Sequence, residues 1–87
     1  MMAGMFWFDG DKSASLAAKV QKALAYYTKK YQRRAELCLI NDIDAQGVDL
    51  NEASKVCGLT IRPAKNVLRY HLWMGVEEPL PKAGSEQ

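Results

Sequence analysis

The only histidine of the chain, His71, follows Arg62, Lys65 and Arg69 and precedes Trp73. Imidazole is the side chain that ordinarily titrates near neutrality, so it is the natural base or acid for proton transfer here. Arginine and lysine beside it suit phosphate oxygens. Arg62, Lys65, Arg69, His71 and Trp73 therefore form a candidate ligand or phosphate contact. Catalysis would also need an orienting partner and an electrophilic donor. No Ser-His-Asp order, phosphate loop or dinucleotide glycine pattern accompanies the histidine. The plainer alternative is a half-buried ring packed beside Trp73, with cations around it for solubility. No catalytic residue is assigned.

A second set of cations lies earlier. At about 100° per residue, Lys19, Lys22, Tyr26, Lys29 and Arg33 share one sector of a helix. A tyrosine among four cations suits a nucleic-acid backbone with a stacked base; a solvated helix face is the bland reading. Asp42 and Asp44 have the opening spacing of a calcium loop. Gly47 falls one residue late, however, and no glutamate closes the pattern. One histidine and the isolated Cys38 and Cys57 make a poor zinc set, and the two cysteines read as buried free thiols of a reducing compartment. No metal or cofactor is expected.

Composition narrows the classes. The 87 residues are 48% hydrophobic and 25% charged, with a net charge of +2, which suits a soluble globular domain and is too small to demand nucleic acid or a membrane as partner. A chain this short buries only roughly 60–65% of its unfolded surface, so self-association is expected. The start, MMAGMFWFDGDK, has neither the charge nor the apolar length of a secretion signal. A cytoplasmic, non-membrane protein is expected.

These residues need elements to position them. Leu16, Val20, Ala23, Leu24, Tyr27 and Tyr31 recur at three- and four-residue steps, which predicts a helix over residues 13–34 with Ser13 or Ser15 as N-cap. Its face of Ala18, Gln21, Ala25, Thr28 and Gln32 is small and uncharged, a candidate dimer surface. Residues 36–41, ELCLIN, read as a strand covered on both sides. Asp49, with Glu52 three residues on, caps a short helix over 49–57, and Gly58 ends it in the left-handed conformation. Phe6, Trp7 and Phe8 read as an edge strand or a tether packed on the core. One compact domain is expected over residues 1–78, with a mobile polar tail over 79–87.

Residues 58–76 admit two readings. As helices, residues 49–74 form a helix-turn-helix that presents Thr60, Arg62, Lys65, Asn66 and Arg69 to DNA. As strands, Leu59–Arg62 and Val67–Met74 flank a turn at Pro63–Asn66. The strand reading is preferred, because ELCLIN needs partners. The fold expected is α/β (α+β): a long N-terminal helix on a small sheet of about three strands, with one short second helix.

The motifs WFDGDK, AYYTKKY, LCLIN, IRPAKNVL and HLWMGVEE together resemble a family of small bacterial proteins to which no function is assigned. The resemblance implies a compact α/β domain and no chemistry. The chain departs from that family's pattern at Gln32-Arg33-Arg34-Ala35, where a Gly-Arg pair and a proline are usual. It departs again at Arg69-Tyr70, where proline and asparagine are usual. Three functions are carried forward: a non-catalytic interaction module that self-associates or binds another protein, a nucleic-acid binder, and a small phosphate-ester enzyme centred on His71.

Overall fold

A computed structural model describes residues 3–76. The expected polar tail at 79–87 lies outside the described residues, as do the ends of the expected domain. The order is β1 (Ala3–Phe8), α1 (Leu16–Tyr31), β2 (Leu37–Asn41), α2 (Leu50–Cys57), β3 (Thr60–Ala64) and β4 (His71–Val76). The four strands form one mixed sheet in the order β1-β4-β2-β3, an α+β fold. Strand β4 is antiparallel to both β1 and β2, and β3 is parallel to β2. Strands β1, β2 and β3 thus run the same way and end on the same side of the molecule.

The helices start and stop where their caps dictate. Ser15 accepts a hydrogen bond from the Ala18 N–H, and Asp49 accepts one from the Glu52 N–H. Gly58 ends α2 at φ 75°, where a side chain is strained. Helix α1 ends at Gln32 with φ 59°, two residues short of the predicted limit.

Side chains of a strand alternate between faces, and here one face takes the core. Met5, Cys38, Ile40, Ile61, Leu72 and Met74 meet Val20, Ala23, Leu24 and Tyr27 of α1 and Ala53 and Cys57 of α2. Both helices therefore lie on one face of the sheet. On the other face Phe6 pairs with Trp73, Trp73 with Leu39, and Leu39 with Arg62. Phe8 pairs with His71 beside that row.

The helix-turn-helix expectation is overturned. Thr60–Ala64 pairs with β2, and His71–Val76 lies between β1 and β2. Asn66 and Arg69 sit on the loop between β3 and β4 rather than on a helix. The strand reading also shifts. Pro63 lies inside β3 instead of opening a turn, and β4 begins at His71 instead of Val67. Proline is tolerated because β3 is an edge strand. Ile61, two residues earlier and so in the same phase, sends its N–H away from β2 to Ser54 Oγ at 3.0 Å. The missing N–H of Pro63 would point the same way.

Candidate functional site

Two loops meet where β1, β2 and β3 end. Asn41, the last residue of β2, organises them. Its Oδ1 accepts the N–H groups of Ile43 and Asp44 at 2.8 and 3.3 Å, which folds the β2–α2 loop. Its Nδ2 donates to the Val67 carbonyl at 2.7 Å, which ties that loop to the β3–β4 loop. Asp44 closes the joint. Its Oδ1 accepts from Arg69 Nε and its Oδ2 accepts from the Tyr70 N–H, both at 2.6 Å.

This clamp holds Tyr70 at φ 63°, in the left-handed region. A bulky side chain adopts that conformation at a cost of about 1–2 kcal/mol. Strain of this kind persists only where the surroundings over-determine it, and it clusters at functional sites. The Tyr70 ring lies between two cations, with Lys19 Nζ 5.9 Å and the Arg69 guanidinium carbon 4.9 Å from its centroid. Lys19 Nζ also donates to the Asp9 carbonyl at 3.3 Å.

A cleft of about 360 Å³ opens here, lined in part by Leu16, Ile40, Val48 and Leu72 and, at its polar positions, by Asp9, Lys12, Lys19, Asp44, Arg69, Tyr70 and His71. Beside Asp9, Asp11 Oδ1 accepts from the hydroxyl and the N–H of Ser13 at 2.6 and 2.9 Å. Those bonds hold the Asp11 carboxyl below its usual range.

His71 Nδ1 lies 2.8 Å from the Arg69 carbonyl oxygen. A carbonyl only accepts, so Nδ1 carries a proton and donates it to the Arg69 carbonyl. The ring packs on Phe8 with centroids 5.1 Å apart. The partner on Nδ1 is thus a backbone carbonyl, not the carboxylate that would orient a strong general base.

The predicted residues separate. Arg69 reaches the cleft, and His71 lines its edge while its ring packs on Phe8 at the open face. Arg62 and Trp73 point from the open face of the sheet, and Lys65 is exposed on the β3–β4 loop. The stripe along α1 is interrupted at both ends. Lys19 turns into the cleft, and Arg33 lies beyond the last helical residue. Lys22, Tyr26 and Lys29 remain exposed between them, and Tyr26 packs on Trp7 at 5.2 Å. Sequence reasoning missed Lys12, Tyr70 and Asp9 as site residues. It singled out Asp44 for metal chemistry, whereas that carboxylate holds Arg69 and Tyr70. Among the described residues no group of three or more His, Cys, Asp or Glu is placed to hold a metal ion.

A second candidate surface is the open face of the sheet. Phe6 and Phe8 are 65% and 64% exposed. Trp73, Leu39 and His71 beside them are half-buried. The Trp73 indole lies across Gly4, where an added Cβ would fall inside its ring. The strand residues on this face include no carboxylate, and Thr60, Arg62 and His71 are among its polar groups. The small face of α1 is a shallow groove instead, where Gln21, Ala25 and Thr28 run beside Val56 of α2.

Cys38 and Cys57 are buried and unpaired. Burial, helped by the neighbouring Cys57, pushes the Cys38 thiol up to about 12. Burial raises Cys57 as well, against the pull of Arg34. Among the described residues no helix is long and apolar enough to cross a membrane.

Comparisons with protein-family models, with curated proteins and with solved structures give no match for this chain.

Proposed function

We propose that the protein is a small non-catalytic interaction module of the cytoplasm that self-associates through the open face of its sheet. The observation that carries the reading is the pair Phe6 and Phe8, about two-thirds exposed on a face neither helix covers. A second copy stacked on this patch would bury all four phenylalanines, as packed sheets do.

The size of the patch sets the strength. A phenylalanine offers roughly 150–250 Å², so the exposed parts of four rings amount to about 500 Å². At ~25 cal/mol per Å² this contributes about 13 kcal/mol before association costs. Those costs run from about 4 to 15 kcal/mol. The dimer is therefore weak, in the micromolar range or above. The two unpaired thiols support a reducing compartment.

Sedimentation velocity over a wide concentration series tests the reading. The expected result is a reversible monomer–dimer equilibrium that Phe6→Ser abolishes. A chain that stays monomeric throughout, or a dimer that Phe6→Ser leaves intact, refutes it. Dimerisation that moves to the groove between α1 and α2 would show as loss on Ala25→Glu instead.

A further inference from the structure

The cleft at the ends of β1, β2 and β3 has the attributes of a ligand site, and we propose that it binds a small organic phosphate, a phosphomonoester carried on an apolar body. This does not depend on self-association.

The first argument is placement. Small-molecule sites are concave, and the carboxyl ends of β1 and β2 flank such a concavity. Here the β1–α1 and β2–α2 loops leave those ends on either side of β4, and the cleft lies between them. Its volume of about 360 Å³ falls within the range of roughly 300–1,000 Å³ typical of small-molecule sites.

The second argument is charge. Lys12, Lys19 and Arg69 line the cleft together with Asp9 and Asp44. Asp44 is already occupied, one oxygen by Arg69 Nε and the other by the Tyr70 N–H. Asp9 Oδ1 accepts the Asp11 N–H. Donors remain on the cations. Arg69 is held through Nε, which keeps its terminal amino groups for a second partner. Among the described residues Lys19 makes one long hydrogen bond, to the Asp9 carbonyl. Donors in excess over acceptors at the rim suit an anion. A phosphomonoester, carrying about −1.5 to −2 charges with several strong acceptor oxygens, suits the cations at this rim.

The third argument is the floor. Leu16, Ile40, Val48 and Leu72 line the cleft below the charged rim. Inorganic phosphate would leave that surface wet, whereas an organic body attached to the phosphate would cover it. The strained Tyr70, fixed by Asp44 and flanked by Lys19 and Arg69, keeps the cationic groups positioned before a ligand arrives.

The test is a titration of the full chain at low ionic strength, followed by backbone amide shifts. The probes are phenyl phosphate, inorganic phosphate and phenol. The expected result is saturable shifts at Lys19, Asp44, Tyr70 and Leu72 with phenyl phosphate, weaker binding of inorganic phosphate and none of phenol. Lys19→Gln and, separately, the exposed Lys12→Gln should each weaken phenyl phosphate by about tenfold, the loss of one charge-assisted contact. Phe6→Ser, on the open face, should leave the affinity unchanged, which separates this site from the dimer surface. The proposal is overturned by an absence of saturable shifts or by shifts confined to Lys22 and Lys29. It is equally overturned if inorganic phosphate binds as tightly as phenyl phosphate, or if both lysine variants keep full affinity.

Discussion

Removing the Asp44 carboxylate should release Tyr70. Asp44 makes two contacts of unequal worth. The hydrogen bond from the Tyr70 N–H is charge-assisted and partly buried, worth about 1.5–3 kcal/mol. The pair with Arg69 is short, but the arginine side chain is 46% exposed against 17% for Asp44, so solvent reduces it to at most about 1 kcal/mol. Against these stands the strain at Tyr70, about 1–2 kcal/mol, which a freed loop would recover. Asp44→Ala should therefore destabilise by up to about 3 kcal/mol in urea unfolding, and by about 1 kcal/mol at the middle of these ranges. Asp44→Asn, which keeps one acceptor oxygen, should lose less. Hydrogen exchange at the Tyr70 amide should rise far more than at the amides of α1, because the clamp is local. A double-mutant cycle with Arg69→Ala should give a coupling no larger than about 1 kcal/mol. If Asp44→Ala changes stability by less than about 0.5 kcal/mol and the Tyr70 amide exchanges as before, the carboxylate is not what holds the loop.

Three further perturbations follow from single positions. Gly58→Ala places a methyl group at φ 75° and 2.6 Å from Arg34 Nη2, which itself donates to the Cys57 carbonyl at 2.9 Å; a loss of about 1–3 kcal/mol is expected in denaturant unfolding. Gln32→Gly removes an exposed side chain from φ 59° at the end of α1 and should raise the melting temperature, with a gain of about 0.5–1 kcal/mol. The Cys38 thiol is raised from 9.0 to about 12 on folding. A raised pKa favours the folded state fully below the unfolded value, and that contribution is lost as pH climbs through the folded one. Stability of the native chain should thus fall between about pH 9 and 12 by an amount on the order of 4 kcal/mol attributable to this thiol. The fall should be shallower in Cys38→Ala, and equal slopes would contradict the assignment.

Much of the framework was legible because local chemistry and tertiary structure agree there. Ser15, Asp49 and Gly58 cap the helices as their residue types predict. Val20, Ala23, Leu24 and Tyr27 bury the predicted stripe, and LCLIN became an interior strand between β4 and β3. Failures occurred where one residue type serves two conformations. Pro63 suits a turn, yet it also suits an outward-facing position on an edge strand, and only the sheet order distinguishes them. Leu68, within the strand expected over Val67–Met74, lies outside β4 and is 70% exposed, because Tyr70 breaks the extended backbone before β4 starts. Gln32 and Tyr70 are the two non-glycine residues with positive φ among the described residues. The backbone holds the left-handed turn at both, without the side chains that would announce it.

The candidate site was illegible for a different reason. Its polar members come from three distant parts of the chain: Asp9, Lys12 and Lys19, then Asp44, then Arg69 to His71. No spacing rule links them. What brings them together is the strand order, in which the last strand in sequence becomes an inner strand between the first and second. Leu72 pairs with both Trp7 and Ile40, so the floor of the cleft is complete only when β4 has entered between β1 and β2. Asp44 then has Arg69 and Tyr70 to hold, and Lys19 has a ring to lie against. A cluster of residues near His71 in sequence was the natural place to look for chemistry, but a strand sends alternate side chains to opposite faces. Trp73 therefore left for the open face, while the loop before β4 carried Arg69 and Tyr70 to the cleft. The groups that converge are those on the loops around the insertion, and loop convergence follows from topology, which local residue pattern does not encode.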